Sequence, residues 1–203
     1  MRSERGRFLT LEGVDGAGKS THMQYVADFI AARGRHAVVT REPGGTELAE
    51  KLRETILREP MTPIVETLLI FAGRADHVAR VIQPALEAGS WVVCDRFIDA
   101  TMAYQGAGKG VPTDLIDRLS VAANPGLLPD RTLVFDCPFE VSQKRLKGKS
   151  LDRFEREDRA FFERVRAAYL DRARAEPARV RVIDATAALA DIRKALDQHL
   201  SDL

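Results

Sequence analysis

Two cysteines and four histidines are all that the 203 residues offer to a disulfide or a soft metal. Cys94 and Cys137 each sit in an apolar run, so they read as small buried hydrophobes rather than as a bridge or ligands. His22, His36, His77 and His199 are scattered, with no metal-ligand spacing. An excess of one charge is missing too: 31 basic residues face 30 acidic ones, for a net charge of +1. That removes any global electrostatic case for nucleic acid or an anionic membrane. No apolar run approaches membrane-spanning length, and residues 1–7 have no apolar signal core. Internal repeats, low-complexity tracts and linkers are absent. What remains is one domain over 1–203 with a sizeable core, expected in the cytoplasm and serving small-molecule partners.

What is present is organised around one stretch. The apolar run Phe8-Leu9-Thr10-Leu11-Glu12 leads into Gly13-Val14-Asp15-Gly16-Ala17-Gly18-Lys19-Ser20-Thr21. Gly13, Gly18, Lys19 and Ser20 fit the phosphate-loop pattern G-x-x-x-x-G-K-S/T at a strand-to-helix junction. Glycines let the backbone turn its N–H groups inward, and the following helix adds its positive N-terminal end. Lys19 is placed to reach the outer phosphates of a nucleotide, and the Ser20 hydroxyl to ligate Mg²⁺.

Strand and helix signals then alternate. Strands are expected at 7–12, 37–41, 91–95, 132–136 and 180–184. Helices are expected at 19–33, 46–58, 64–88 (bent near Gly73 or Pro84), 99–104, 113–123, 139–147 and 158–175, with a last one around Leu189 to Leu200. The strands are continuous apolar runs, as in a buried parallel sheet. The expected fold is therefore a doubly wound five-stranded parallel α/β sheet with helices on both faces. Ligands bind beyond the carboxyl ends of such strands. The phosphate loop, Arg41-Glu42, Asp95-Arg96, Asp136 and Asp184 all fall there, and are expected to share one site.

Asp95, at the end of an apolar strand beside a phosphate loop, is a candidate to support Mg²⁺, and Arg96 suits a phosphate. Phe71 and Arg74 lie three apart on one helical face, a spacing compatible with holding a base, although on its own it favours a core Phe beside a solvated Arg. The stretch from Lys144 to Arg159 carries seven basic residues against four acidic ones, and Gly148 interrupts it. It is either a solvated face or a mobile lid, at about 147–157, that closes over phosphates.

Taken together, these segments resemble the thymidylate kinase family, bacterial type, of the P-loop nucleoside-monophosphate kinases. The carriers are residues 12–21, Arg41-Glu42-Pro43-Gly44-Gly45-Thr46, Phe71-Ala72-Gly73-Arg74, Asp95-Arg96-Phe97 with Ala103-Tyr104-Gln105-Gly106, and Leu151-Asp152-Arg153. The resemblance runs from about Phe8 to Leu200. It implies transfer of the ATP γ-phosphate to dTMP, giving dTDP and ADP, with Mg²⁺ held by Ser20 and Asp95. It implies ATP on Gly13, Val14, Asp15, Gly16, Ala17, Gly18, Lys19, Ser20, Thr21 and Arg145. It implies dTMP bordered by Asp15, Arg41, Glu42, Phe71, Arg74, Arg96, Thr101, Tyr104 and Gln105, with Tyr104 against the deoxyribose. Catalytic roles fall to Lys19, Asp15, Arg96 and Arg153, and a homodimer packed through helices is expected.

Two departures from the family pattern stand out. The aromatic expected four residues before Arg74 is Ile70 here, so Phe71 is taken as the stacking group. The arginine that some relatives carry in the loop is Gly16 here, so the lid is expected to supply the cation, with Arg153 first and Arg145 and Lys149 in reserve. A GTP-hydrolysing switch would carry a guanine-reading N-K-x-D segment, which the sequence lacks. The remaining rivals are another nucleoside-monophosphate or deoxynucleoside kinase and a regulatory ATPase.

Overall fold

A computed structural model describes residues 5–148 and 152–203. Lys149 and Leu151 therefore lie outside the described residues, as does that part of the expected lid. Five strands form one parallel sheet: β1 (Phe8–Glu12), β2 (Ala37–Arg41), β3 (Trp91–Asp95), β4 (Arg131–Asp136) and β5 (Val180–Asp184). Their order is β2-β3-β1-β4-β5. The first strand is thus central, with Leu11 opposite Asp95 on one side and Leu133 on the other. Parallel strands need crossovers, and the intervening helices supply them.

Helices α1 (Lys19–Ala31), α2 (Glu47–Arg58), α3 (Pro63–His77), α4 (Gln83–Glu87), α5 (Ile98–Thr101), α6 (Thr113–Ala123), α7 (Phe139–Leu146), α8 (Arg159–Ala175) and α9 (Leu189–Leu200) surround the sheet. Alternation along β1 and β3 splits the core in two. Leu9, Leu11 and Val93 pack with Val26 and Ile30 of α1, Tyr169 of α8 and Leu196 of α9. Phe8, Val92 and Cys94 pack on the other face with Phe71, Ile82 and Ile116. Both cysteines are free and buried, as their runs imply. Thr46 caps α2 by accepting the Ala49 N–H, and Asp158 caps α8 by accepting that of Phe161.

Two stretches differ from the sequence reading. The 64–88 helix runs straight through Gly73 and is interrupted by a π-helical turn at Val78–Ile82, just before Pro84. Pro84 cannot donate to the Arg80 carbonyl, so the relaxation falls on the turn before it. The expected loop after Tyr104 is a wide helical continuation of α5, Met102–Gly108.

Candidate active site

The loop between β1 and α1 curls around the Lys19 ammonium, which donates to the carbonyls of Gly13 (3.0 Å) and Val14 (3.2 Å). Burial and the nearby Arg96 guanidinium push the lysine pKa down. Gly16 has φ +76°, and a Cβ there would meet the Ser142 carbonyl oxygen at 2.7 Å. Helix α7 therefore packs where a loop arginine would have to emerge. From that helix Arg145 reaches the loop instead, donating to the carbonyls of Ala17 (3.3 Å) and Ala185 (2.8 Å).

Two clefts meet at this loop. The donor cleft is lined by 15–21, Arg145 and, from the β5 side, Ala185, Ala187 and Leu189. Arg41 and Asp95 border it as well. The Asp95 Oδ1 is buried with no hydrogen-bond partner among the described residues. A carboxylate with an orphaned oxygen, lining the same cleft as Ser20, fits a hard cation, which also takes phosphate oxygens and water. Among the described residues no three His, Cys, Asp or Glu side chains cluster as a self-sufficient metal site.

The acceptor cleft is lined by Pro43, Ile70, Arg74, Phe97, Thr101, Tyr104, Gln105 and Phe154, among others. Asp15, Glu42, Arg53, Arg96 and Asp152 border both clefts. At their junction Arg96 Nη2 donates to Asp15 Oδ1 (2.6 Å) and to the Tyr104 hydroxyl (3.1 Å), which itself donates to Asp15 Oδ2 (2.9 Å). Burial opposes the Asp15 charge, but Arg96 and Lys19 outweigh it and hold the carboxyl below its usual range. Burial of the Tyr104 phenol pushes its pKa well up, so it stays a hydrogen-bond donor.

The acceptor wall rests on a buried chain. Arg74 donates Nε to Glu42 (2.7 Å) and Nη2 to Thr101 (2.9 Å), while its Nη1 has no partner among the described residues. His77 joins the other Glu42 oxygen (3.0 Å) to Thr40 (2.7 Å). Gln105 donates to Glu66 (2.8 Å).

Several expectations need correction. Phe71 does not line the cleft; its ring is 3% exposed and packed in the core beneath the Arg74 guanidinium, 4.8 Å from its centroid. One residue is a 100° step round the helix, and Ile70 takes the cleft-facing position. Arg153 lines neither cleft: it donates to the Ile56 carbonyl (2.9 Å) and pairs with buried Glu66. Asp136 and Asp184 line neither cleft; Asp136 is held by Arg166 (2.6 Å) and Asp184 by the nearby Thr186 (2.6 Å). Arg41 borders the donor cleft but not the acceptor cleft, with its guanidinium on Glu50 (2.8 Å).

Arg53, Phe97, Asp152 and Phe154 border the clefts without having been assigned roles from sequence. Arg53 gives no local signal, being one basic residue in an amphipathic helix. Phe97 and Asp152 sit inside the Asp95-Arg96-Phe97 and Leu151-Asp152-Arg153 motifs, and their adjacency to Arg96 and Arg153 is the signal that marks them.

With this geometry established, comparison places the chain among known proteins. The family model described as thymidylate kinase matches residues 11–196. The thymidylate kinase of Bordetella petrii is 54% identical over 200 residues, covering 98% of this chain and 97% of the relative. That of Cupriavidus necator is 52% identical, with 98% and 100% covered. The crystal structure of thymidylate kinase from Ehrlichia chaffeensis superposes with a TM-score of 0.79 at 31% identity, covering 97% of this chain and 99% of that one. A doubly wound parallel sheet built around a phosphate loop, matched end to end at this identity, means that the chain belongs to the thymidylate kinase family.

Proposed function

We propose that the protein transfers the γ-phosphate of ATP to dTMP, giving dTDP and ADP for dTTP synthesis, in the cytoplasm. The observation that carries the reading is the junction of the two clefts. Asp15, Glu42, Arg53 and Arg96 border both, so two nucleotides bound from opposite sides would meet end to end at Lys19 and Arg96. Phosphoryl transfer needs little else than alignment and charge neutralisation.

ATP would lie with its phosphates on the 13–21 backbone and Lys19, and its nucleoside beside Arg145, Ala185 and Leu189. Ser20 and Asp95 would hold Mg²⁺, which neutralises charge on the phosphates. On the acceptor side, the free Nη1 of Arg74 would donate to a pyrimidine carbonyl, beside Thr101 and Gln105. Ile70 and Phe97 would flank the base. Arg96 and Arg53 would take the dTMP phosphate. The Tyr104 ring, fixed by its bonds to Asp15 and Arg96, would sit where a ribose 2′-hydroxyl would project, and so favour a deoxynucleotide. The segment about 147–157, of which Asp152 and Phe154 border the acceptor cleft, would act as the lid. Helices α2 and α3 expose Leu48, Ile64, Val65 and Leu68, each more than 40% accessible, a face suited to a homodimer. Neither nucleic acid nor a membrane is an expected partner, and no described helix is long and apolar enough to cross a membrane.

The test is a coupled ADP-release assay with ATP and, in turn, dTMP, dUMP, dCMP, dGMP and AMP. ADP release with dTMP far above the others supports the reading. Equal turnover with AMP, or ADP release without an acceptor, refutes it.

A further inference from the structure

Glu12 is the last residue of β1, and its carboxylate is 0% exposed. Nothing in the phosphoryl-transfer scheme uses it. Burying a carboxylate is costly, and an apolar residue would serve a strand end better if packing were the sole demand. Burial, with the nearby Asp99 charge, pushes the Glu12 pKa up to about 7 although Arg96, Tyr169 and the Phe97 N–H oppose the rise.

Both of its oxygens are committed on either side of Arg96. Oε1 accepts the Phe97 N–H at 2.7 Å, and Oε2 accepts the Tyr169 hydroxyl at 2.9 Å. The Tyr169 oxygen in turn accepts from Arg96 Nη1 at 3.4 Å. Arg96 itself has φ +72° and is the one non-glycine residue with positive φ among those described. A residue with a Cβ holds that conformation only when its surroundings impose it. Here the Arg96 N–H is bound to the Leu11 carbonyl (3.0 Å), and the next N–H is bound to the Glu12 carboxylate. The end of β1 therefore pins the turn after β3 at two consecutive peptides, and Tyr169 carries the same carboxylate to the guanidinium.

We propose that Glu12 is a positioning residue for the acceptor-phosphate arginine: by accepting the Phe97 N–H and the Tyr169 hydroxyl, it holds Arg96 in the left-handed conformation from which its guanidinium reaches Asp15 and Tyr104. The inference rests on the assignment of Arg96 to the dTMP phosphate. Glu12 touches neither nucleotide and acts through Arg96. An amide at position 12 keeps an acceptor for only one of the two partners, so Glu12→Gln loosens the clamp while preserving side-chain volume.

The experiment is a binding cycle on the full chain. Dissociation constants for dTMP and for ATP are measured calorimetrically for the unaltered protein, Glu12→Gln, Arg96→Ala and the double variant. Glu12→Gln is expected to weaken dTMP at least fivefold and ATP less than twofold. In the Arg96→Ala background the same change is expected to alter dTMP affinity less than twofold, because the group it acts through is gone. Equal weakening of both nucleotides, multiplicative losses in the double variant, or no effect of Glu12→Gln overturns the proposal. Undiminished dTMP affinity in Arg96→Ala alone instead removes the Arg96 assignment, and the inference with it. Should Glu12→Gln fail to fold, Tyr169→Phe removes one donor and leaves the carboxylate in place. A smaller dTMP-selective loss that vanishes with Arg96→Ala is then expected, and a loss shared with ATP, or none, decides against it.

Discussion

Arg74 and Glu42 form a buried ion pair, Nε to Oε2 at 2.7 Å, with side chains 1% and 4% exposed. The pair comes from a helix and a strand end 32 residues apart and joins Thr40, His77 and Thr101 into one chain under the acceptor cleft. Such a pair is weak evidence for stability as it stands, but removal of one partner strands a charge out of water. Glu42→Ala should therefore cost about 3–5 kcal/mol. For a chain of this length that is a fall in Tm on the order of 10 °C, readable by circular dichroism. A shift under 2 °C would mean that water reaches Arg74 and that the chain does not support the cleft.

Phe71 and Ile70 separate packing from recognition. The Phe71 ring lies under Arg74 and within the Phe8 and Phe97 cluster. Phe71→Leu should lower Tm by a few degrees and leave the ratio of KM for dTMP to KM for ATP within about twofold. Loss of a base stack would cost about 1–3 kcal/mol, roughly fivefold to more than a hundredfold in the dTMP constant alone. A selective rise of that size in Phe71→Leu would return the ring to the base. Ile70→Ala should give the selective rise instead.

The same pair of residues shows where sequence reading reaches its limit. The phosphate loop, the five strands and most helices were legible, because glycine-rich turns and apolar runs report local backbone geometry directly. The family resemblance also named Arg74, Thr101, Tyr104 and Gln105, all of which line the acceptor cleft. The phase of a helix to within one residue was not legible, since α3 is apolar at both Ile70 and Phe71. Nor was the partner of a charge: Asp136 and Arg153 look available in sequence but are engaged by Arg166 and Glu66, far away along the chain. Arg53 is the converse, a site residue with no local mark because its position depends on how α2 meets the β2 loop, where it donates to the Pro43 carbonyl.

Glu12 sets a pH dependence of stability with a definite sign. Its folded-state pKa is about 7, raised by burial from 4.5. Between those values the folded chain keeps a proton that the unfolded chain releases. The contribution is therefore full below pH 4.5 and is lost as pH rises through 7. At its largest the loss is on the order of 3 kcal/mol. Urea unfolding of the unaltered protein and Glu12→Gln at pH 5.0 and 7.5 isolates it. The stability difference between the two should move against the unaltered protein at pH 7.5. Parallel behaviour at both pH values would show that Arg96 and Tyr169 keep the carboxylate ionised throughout.

The source of the cation at the transferring phosphoryl group remains the point where sequence and structure part most sharply. A transition-state arginine, when removed, lowers kcat and kcat/KM together and leaves ground-state ATP binding unchanged. Arg153, the candidate from sequence, has its guanidinium on the Ile56 carbonyl and Glu66, and Lys109 shares that same carboxylate at 2.9 Å. These contacts anchor the 152–157 segment to α2 and α3, and with it Asp152 and Phe154 at the rim of the acceptor cleft. Arg153→Ala should therefore raise the KM for dTMP severalfold, with kcat changed less than tenfold, under roughly 1.4 kcal/mol. Arg145 has the other character. It lies on the loop carbonyls of Gly16 and Ala17 within the donor cleft, where Gly16 leaves room for no side chain of its own. Arg145→Ala should raise the ATP constant severalfold and leave that for dTMP within twofold. Steady-state kinetics with each nucleotide varied in turn, together with ATP affinity measured directly, distinguishes the cases. A tenfold or greater fall in kcat for Arg153→Ala at unchanged ATP affinity would mean that the arginine leaves Glu66 during turnover and reaches the phosphates after all.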